Sequence, residues 1–267
     1  MKTLIPYIGS KKNLLKKLQP MFPVEINNYY EPFIGGGSVL FFINENNNIN
    51  KNYINDFNKD VINVYKSIKT HSKVLCDHLD KLNIKCSKEE FDELIKIFNE
   101  NKSDKVLLAA IYIFVCKRSF NGKLNVKNNI IRPYFAKQFQ NSNIYEKDNM
   151  LSIKKILLKT KITNFSYDEF LNQSTFEKDD FVFMDPPYLT KMTKYLYKDS
   201  FDLEEFNKLK NTCDKLNKQG VNFMLTVNKH DILNDIFNTY NIKTINKYSG
   251  MSHSKIEEYV ITNYNSG

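Results

Sequence analysis

The stretch Phe181-Val182-Phe183-Met184-Asp185-Pro186-Pro187-Tyr188 indicates the fold of this chain more directly than any other. Four apolar residues follow the polar pair Asp179-Asp180 and precede two prolines, which is typical of a short buried strand that ends at Asp185. Open α/β sheets bind their ligands in the crevice outside the carboxyl ends of such strands. The pattern therefore predicts an α/β sheet with a reaction site at Asp185.

The tetrad Asp185-Pro186-Pro187-Tyr188 has the groups that would activate the amino group of a nucleobase. That nitrogen is a poor nucleophile because its lone pair is delocalised into the ring, and two acceptors that hold both N–H bonds would localise the pair. Asp185 offers one acceptor and the Pro186 carbonyl the second, while the prolines stiffen the turn. Tyr188 would stack on a base taken out of its helix. The structural alternative is a strand-ending turn with a solvated Asp185 and a half-buried Tyr188, since short motifs often match by chance.

Composition limits the class of protein. The 267 residues suffice for one core, or for one core with a smaller second domain. A net charge of +9 favours a polyanionic partner such as nucleic acid. The four cysteines have neither a C-x-x-C spacing nor a partnered His, so neither a zinc site nor a disulfide framework is predicted. There is no signal-peptide pattern, and residues 106–116 form an apolar run too short to cross a bilayer, so a cytoplasmic protein without a metal is expected.

Glycine turns near the N-terminus predict a ligand site. Gly9-Ser10-Lys11 enters a helical pattern, where backbone N–H groups and the Lys11 ammonium would bind a carboxylate or phosphate, and Tyr7 could lie against the ligand. Gly35-Gly36-Gly37 lies between a predicted strand and a predicted helix and would let the backbone approach a ligand closely. An ordinary capped helix and an ordinary turn are the respective alternatives.

A second strand, which ends at Asn55-Asp56, strengthens this prediction. It ends about 20 residues after the glycines, which is the spacing at which an acidic residue reaches the ribose hydroxyls in nucleotide-binding βαβ units. Leu40 stands where dinucleotide-binding motifs have their third glycine. An adenosine ligand other than a dinucleotide is therefore favoured.

The composition shifts in residues 67–150, which we interpret as an insertion between the two halves of the sheet domain. Within it, residues 117–127 combine an Asn-Gly turn signal with alternating basic residues, which predicts a hairpin or an extended loop. Basic residues interleaved with Phe120 and Asn125 suit contacts with phosphates and bases, although a solvated hairpin is the alternative. The predicted domains are residues 1–66 plus 151–267, which form the sheet domain, and residues 67–150, which recognise the target.

Two later segments carry further polar candidates. A predicted strand at residues 162–165 ends at Ser166-Tyr167-Asp168, which could flank an adenine ring, and the alternative for Ser166 is a helix N-cap. Between the last two predicted strands lies a loop rich in hydroxyl groups and basic residues, in which Ser252 and Ser254 could bind phosphates.

Taken together, these motifs resemble the Dam-type DNA adenine-N6 methyltransferases, which belong to the α-group of amino-methyltransferases. The resemblance covers nearly the whole chain, and its motifs follow the family's order: residues 7–11, 31–37, 55–56, 118–125 and 185–188, with a closing strand at Glu257-Glu258-Tyr259. It implies a Rossmann-like sheet that binds S-adenosylmethionine, with an inserted helical and hairpin domain that recognises double-stranded DNA. The implied reaction is methyl transfer to a flipped-out adenine.

The resemblance also implies roles for individual residues. The catalytic set is Asp185, Pro186 and Tyr188. The set that contacts the cofactor is Tyr7, Lys11, Phe33, Gly35, Gly37, Asp56, Ser166, Tyr167 and Asp185. The set that contacts DNA is Arg118, Phe120, Asn121, Lys123, Asn125, Lys127, Ser252 and Ser254.

The chain departs from the family at the position that reads the target. Members that read GATC usually have an Arg where this chain has Asn125, and Asn pairs better with adenine edges than with guanine. Recognition of GATC is therefore not predicted. A cytosine-N4 or RNA amino-methyltransferase and a non-catalytic DNA-binding relative remain as alternatives at this point, and a cognate restriction endonuclease is a conceivable partner.

Overall fold

The computed structural model describes residues 1–7, 9–83, 86–100, 103–127, 130–189, 201–248 and 255–265. Its strands are β1 (Asn28–Glu31), β2 (Lys51–Asn55), β3 (Val126–Lys127), β4 (Ile130–Ile131), β5 (Thr160–Thr163), β6 (Phe181–Met184), β7 (Asn222–Asn228), β8 (Asn241–Tyr248) and β9 (Lys255–Thr262). Its α-helices are α1 (Leu15–Leu18), α2 (Ser38–Asn46), α3 (Lys59–Leu82), α4 (Lys88–Glu100), α5 (Lys105–Arg118), α6 (Lys147–Leu158), α7 (Tyr167–Asn172), α8 (Leu203–Lys218) and α9 (Asp231–Ile236).

The chain packs into two compact units. The helical unit comprises Met1–Ser10, Gly35–Glu45 and Asn58–Asn164, and the sheet unit comprises Lys11–Ile34, Asn46–Phe57 and Phe165–Gly267. The predicted boundaries after residues 66 and 150 both fall inside helices, α3 and α6. The assignment of residues 67–150 to a separate recognition domain stays a prediction.

The sheet unit is built on a mixed sheet in the order β2-β1-β6-β7-β9-β8. Strands β2, β1, β6 and β7 run parallel, whereas β9 is antiparallel to both β7 and β8. From β1 the chain continues to β2 on one side, and β6 pairs with β1 on the other, so the strand order reverses between β1 and β6. Doubly wound sheets bind ligands at such a switch point, outside the carboxyl ends of the strands. The predicted Rossmann-like α/β class is confirmed.

Strand β6 is buried along its whole length, as the run Phe181–Met184 predicted. It lies between two parallel neighbours, with Val182 opposite Tyr30 and Met184 opposite Leu225. Helix α8 covers the sheet with Phe206 and Leu209 and three further buried residues. The Asp202 carboxylate caps the helix by accepting a hydrogen bond from Glu205 N. A strand buried on both faces positions Asp185 rigidly, because it cannot slip without exposing its apolar side chains.

The core of the helical unit is helix α5, which is buried from Leu108 to Cys116. Asp104 caps it, and α3, capped by Asn58, packs beside it. Helix α3 has one non-helical residue, His71, at φ −130° and ψ 30°. Residues 106–116 therefore form the buried helix that their apolar composition predicted.

Two predicted elements lie elsewhere in the structure. Strand β5 covers Thr160–Thr163 rather than residues 162–165, because the Asn55 side chain takes both the N–H and the C=O of Phe165, at 2.8 and 3.0 Å. The Asn121-Gly122 pair forms a 3-10 turn over Phe120–Gly122, and the hairpin follows it as β3 and β4. The prediction that the Asn-Gly pair joins the two strands of a hairpin was therefore wrong, because both strands follow that turn in the sequence.

Candidate active site

Asp185 directly follows β6 and accepts two hydrogen bonds on one oxygen. The Lys11 ammonium donates to Asp185 Oδ1 at 2.6 Å, and the Thr226 hydroxyl on β7 donates to the same oxygen at 3.0 Å. Burial raises the pKa of Asp185, and the neighbouring Lys11 partly offsets that rise. The structure thus gives Asp185 a fixed carboxylate at a buried strand end rather than the solvated turn of the alternative interpretation.

Lys11 is the centre of a buried polar cluster. Only 1% of Lys11 is exposed, and its ammonium also donates to the Tyr188 hydroxyl at 3.0 Å. The Tyr188 hydroxyl in turn donates to Glu258 on β9, and Glu258 is fully buried. Burial and the two nearby carboxylates raise the pKa of Tyr188, so its hydroxyl stays protonated and acts as a donor. We name Lys11, Asp185, Tyr188 and Glu258 the strand-end cluster.

The loop that carries the tetrad is held from strand β7. The Asn228 side chain accepts from Leu189 N at 3.0 Å and donates to Leu189 O at 3.1 Å, directly after Tyr188. An amide that satisfies both backbone groups of one residue acts as a neighbouring strand would, so Asn228 fixes the backbone of this loop at Leu189. Neither Asn228 nor Thr226 was among the predicted site residues.

A second set of predicted cofactor residues lies at the ends of β1 and β2. Asp56 directly follows β2 and is 9% exposed. Its neighbour Asn55 donates to the Pro32 carbonyl at 3.2 Å, which joins the loop after β1 to the loop after β2. The strand ends that flank the switch point are therefore fixed by side-chain amides on both sides.

Three of the predicted cofactor residues have structural contacts in the sheet unit. Ser166 is the N-cap of α7 and accepts from Glu169 N at 3.4 Å, as its structural alternative proposed. Tyr167 is largely buried, and its ring centroid lies 5.3 Å from that of Phe33. These contacts stabilise the sheet unit near the carboxyl ends of its strands. A role in cofactor binding stays a prediction for all three residues.

The glycine turn belongs to the helical unit. Gly35 has φ +44° and Gly37 φ +72°, a region that side-chain-bearing residues rarely adopt. A Cβ on Gly35 would lie 2.8 Å from the Tyr7 ring, so Tyr7 lies directly on the bare backbone of the turn. The Tyr65 hydroxyl, which the sequence analysis did not single out, donates to Gly35 O at 2.9 Å and holds the turn from α3.

The recognition segment, residues 117–135, also lies in the helical unit. Arg118 ends α5 and is only 1% exposed. Its guanidinium donates to the carbonyls of Phe139 and Ser142 and to Ser142 Oγ. These contacts give Arg118 an internal role, so the structure does not favour the predicted contact with DNA, and replacing Arg118 tests packing instead.

Other members of the recognition segment do face solvent. Phe120 and Lys123 are exposed, and Asn125 has φ +46° and donates to Arg132 O at 3.3 Å. The hairpin is anchored on α4, where the Asn99 side chain accepts from Ile131 N at 3.0 Å and donates to Ile131 O at 3.2 Å. Ser252 and Ser254, and the side chains of Asn121 and Lys127, lie outside the described part of the chain.

The described residues contain no group of three or more His, Cys, Asp or Glu side chains placed to hold a metal ion. They also contain no helix that is long and apolar enough to cross a membrane.

The sequence profile of the D12 class N6 adenine-specific DNA methyltransferases matches residues 7–251. The chain belongs to this family. The predicted resemblance is thereby confirmed, and adenine-N6 is favoured over the cytosine-N4 and RNA alternatives. The protein is a site-specific DNA methyltransferase that acts on adenine, and the reaction requires a methyl donor.

Named relatives support this assignment over the whole length of the methyltransferase. The chain is 30% identical to Type II methyltransferase M1.LlaDCHI of Lactococcus lactis subsp. cremoris, over 97% of this chain and 94% of the relative. It is 28% identical to Type II methyltransferase M.MjaIII of Methanocaldococcus jannaschii, over 91% of this chain and 90% of the relative. It is also 30% identical to Type II methyltransferase M.FokI of Planomicrobium okeanokoites, over 98% of this chain but only 43% of the relative.

In this methyltransferase, the polar residues that sequence reasoning missed have a common signature. Thr226 interrupts the run Phe223-Met224-Leu225-Thr226-Val227, all of which is buried in β7. Glu258 is likewise a single acid on the buried face of β9. A lone polar residue on the buried face of a strand needs a partner, and here the partner is the strand-end cluster.

Proposed function

We propose that the protein transfers a methyl group from S-adenosylmethionine to the amino nitrogen of an adenine flipped out of double-stranded DNA. The observation that supports this most directly is the geometry at Asp185. One of its carboxylate oxygens, Oδ1, is engaged by Lys11 and Thr226. Among the described residues, no hydrogen bond is made to the other oxygen, Oδ2.

This division assigns a role to each oxygen. Two donors on Oδ1 fix the plane of the carboxylate, and Oδ2 is left to accept one N–H of the amino group. The Pro186 carbonyl accepts the second N–H, and Tyr188 supplies the aromatic face for the flipped base. Two acceptors on one amino group direct its lone pair towards the methyl donor, which is catalysis by orientation rather than by a strong base.

Asp185 also accepts the proton that the amino nitrogen releases. Burial raises its pKa, so it is a better proton acceptor than a surface carboxylate. Lys11, which donates to the same carboxylate, partly offsets that rise in the pKa. The methylated amine is acidic enough that a carboxylate or water suffices as the final base.

Several of the predicted cofactor residues have the chemistry that S-adenosylmethionine needs. Asp56, at the end of β2, offers a carboxylate for ribose hydroxyls, and the turn at Gly35 and Gly37 offers bare backbone beside the Tyr7 ring. When bound, this cofactor supplies an electrophilic methyl group on sulfur. Lys11, which the resemblance also assigned to the cofactor, acts through Asp185 in this proposal.

The recognition segment is the part of the helical unit proposed to contact DNA. No Asp or Glu occurs between Asp104 and Glu146, a stretch that contains seven Lys and Arg residues. Exposed Lys123 is placed to contact phosphate, and exposed Phe120 to contact a base. Because Asn125 replaces the Arg of members that read GATC, and its amide is engaged by Arg132 O, the target sequence is proposed to differ from GATC.

Transfer of a labelled methyl group from S-adenosylmethionine to unmethylated DNA tests the proposal. The wild-type protein is expected to label N6 of adenine at one sequence, identified by methylation-aware sequencing. The Asp185→Ala protein should transfer at least a hundredfold more slowly, because the acceptor that orients the amino nitrogen is lost. Equal incorporation by both proteins would remove Asp185 from the mechanism, and label in N4-methylcytosine would contradict the substrate.

A cognate restriction endonuclease is the proposed partner, since the relatives named above are Type II methyltransferases. Such a methyltransferase protects DNA from an endonuclease that cuts the same sequence. DNA from cells that produce the protein should therefore resist cleavage at the methylated sequence, whereas DNA from cells with the Asp185→Ala variant should be cut.

A further inference from the structure

We infer that Glu258 is a positioning residue of the methyltransferase, which holds the Tyr188 ring in place for the flipped adenine. This inference rests on the proposed function, because it presupposes that Tyr188 stacks on the base. The sequence analysis noted Glu258 only as part of a closing strand.

Strand geometry separates Glu258 from its neighbour Glu257. Successive side chains of β9 point to opposite faces, so one carboxylate faces the strand-end cluster and the other faces solvent. Glu258 is fully buried, whereas Glu257 is 41% exposed and pairs with the equally exposed Lys229 at 3.1 Å. Two adjacent acids of the same size therefore have different environments.

A fully buried carboxylate is costly unless it is paired and hydrogen-bonded. Glu258 has two ammonium neighbours, Lys11 and Lys247, each 3.7 Å away, which is beyond good hydrogen-bonding distance. The Tyr188 hydroxyl supplies the hydrogen bond that Glu258 Oε1 accepts. No described residue donates a hydrogen bond to Glu258 Oε2. The contact with Tyr188 is therefore the main hydrogen bond that compensates this burial.

The same contact fixes Tyr188 at the end of its ring. Its hydroxyl accepts from Lys11 at 3.0 Å and donates to Glu258, so both hydrogen-bonding directions are used. Asn228 holds the backbone of the next residue, Leu189. The Tyr188 ring is thus held at its hydroxyl and through the backbone beside it before the base arrives, so it loses little conformational freedom on stacking. Such preorganisation is expected to raise kcat.

Kinetics on a duplex that contains the methylated sequence tests the inference. Glu258→Gln keeps the size of the side chain but removes the charge that strengthens the hydrogen bond, and Tyr188→Phe keeps the ring but removes the hydroxyl. Each is expected to lower kcat by roughly tenfold, as for loss of a hydrogen bond to a charged group. The KM for DNA should change by less than about threefold, because the recognition segment is untouched. The double variant should be no slower than the slower single variant.

Glu257→Gln is the matched control and should retain the wild-type kcat. A wild-type kcat for Glu258→Gln, or losses that multiply in the double variant, would overturn the inference. If Glu258→Gln fails to fold, Tyr188→Phe decides, assayed below its own unfolding transition because the loss of its hydroxyl also lowers Tm: a tenfold loss of kcat supports the inference, and a wild-type kcat overturns it. Absence of methyl transfer by the wild-type protein would instead overturn the proposed function. Failure of the inference and failure of the proposed function are therefore distinguishable.

Discussion

Two cations are almost completely buried among the residues that the structure describes, one in each unit, and they have different partners. Lys11 in the sheet unit and Arg118 in the helical unit are both 1% exposed. Lys11 lies 2.6 Å from the Asp185 carboxylate and 3.7 Å from Glu258. Arg118 donates to backbone carbonyls and a Ser hydroxyl, and its guanidinium lies 5.5 Å from the Phe114 ring centroid.

The difference in partners indicates a difference in role. A cation paired with carboxylates controls their charge and orientation, which matters where one of them handles a substrate proton. A cation bonded to carbonyls joins loops, and its planar donors reach several of them at once. Equal burial therefore does not imply equal function, and the two residues should respond differently to removal.

The largest effect is expected from Lys11→Met. Removing the ammonium leaves Asp185 and Glu258 as buried carboxylates without their shared cation, which costs about 3 kcal/mol or more. If that cost falls on the transition state, kcat falls more than a hundredfold. Methyl-transfer assays measure kcat. Lys16→Met is the control, because it removes the same charge from an exposed position. A Lys11→Met protein with wild-type kcat would show that the ammonium serves packing alone, as proposed for Arg118.

Arg118→Met should affect stability more than activity. It removes the hydrogen bonds from the guanidinium to the Phe139 and Ser142 carbonyls and to Ser142 Oγ, at a cost of about 1.5–3 kcal/mol as for hydrogen bonds to a charged group, although the Phe139 carbonyl keeps the Ser142 N–H as a donor. Urea unfolding measures the loss, and DNA binding below the unfolding transition should keep the salt dependence of the wild type. A flatter salt dependence at unchanged stability would instead restore the original prediction that Arg118 contacts phosphate.

Lys123→Met is the exposed counterpart of that change. Its stability should stay within about 0.5 kcal/mol of the wild type, since the side chain is exposed. The slope of log K against log salt should decrease by about 1 if Lys123 contacts one phosphate. Titration of DNA at several salt concentrations measures that slope, and an unchanged slope would make the segment an ordinary solvated hairpin.

The smallest expected effect is the change in thermal stability caused by Asp185→Asn, and this change depends on pH. Because burial raises the folded-state pKa of Asp185, its contribution to stability is present below the unfolded pKa and lost as pH rises through the folded pKa. The side chain of the Asn variant cannot ionise, so the variant does not lose stability as pH rises. Its Tm should therefore equal or exceed that of the wild type at neutral pH, and the two Tm values should converge in acid. Thermal unfolding as a function of pH checks this. A lower Tm for the variant at pH 7 would mean that the Lys11 ion pair outweighs burial.

Short motifs predicted the local structure around the candidate site well. The apolar run before Asp185 has a single interpretation as a buried strand, and the glycines at 35 and 37 do have positive φ. Both follow from local constraints, namely burial periodicity and backbone sterics, which a sequence displays directly. The placement of Asp56 at the end of β2 followed in the same way.

Contacts between distant segments could not be predicted in this way. Lys11 and Asp185 are 174 residues apart, and Glu258 is more distant still from Lys11, so no local pattern links them. Arg118 was interpreted as a DNA contact because it is basic and adjoins a basic loop. It ends a helix that is buried nearly throughout, and it lies one turn after buried Phe114, so helix periodicity could have indicated its burial.

The anchoring of the recognition segment has an evolutionary consequence. Asn99 holds its hairpin through the N–H and C=O of Ile131, and such backbone groups are the same whatever side chains the segment carries. Exposed positions such as Phe120 and Lys123 are therefore able to change without loss of the fold. If this segment reads the target, as proposed above, single substitutions at such positions would change the target sequence and leave the strand-end cluster intact.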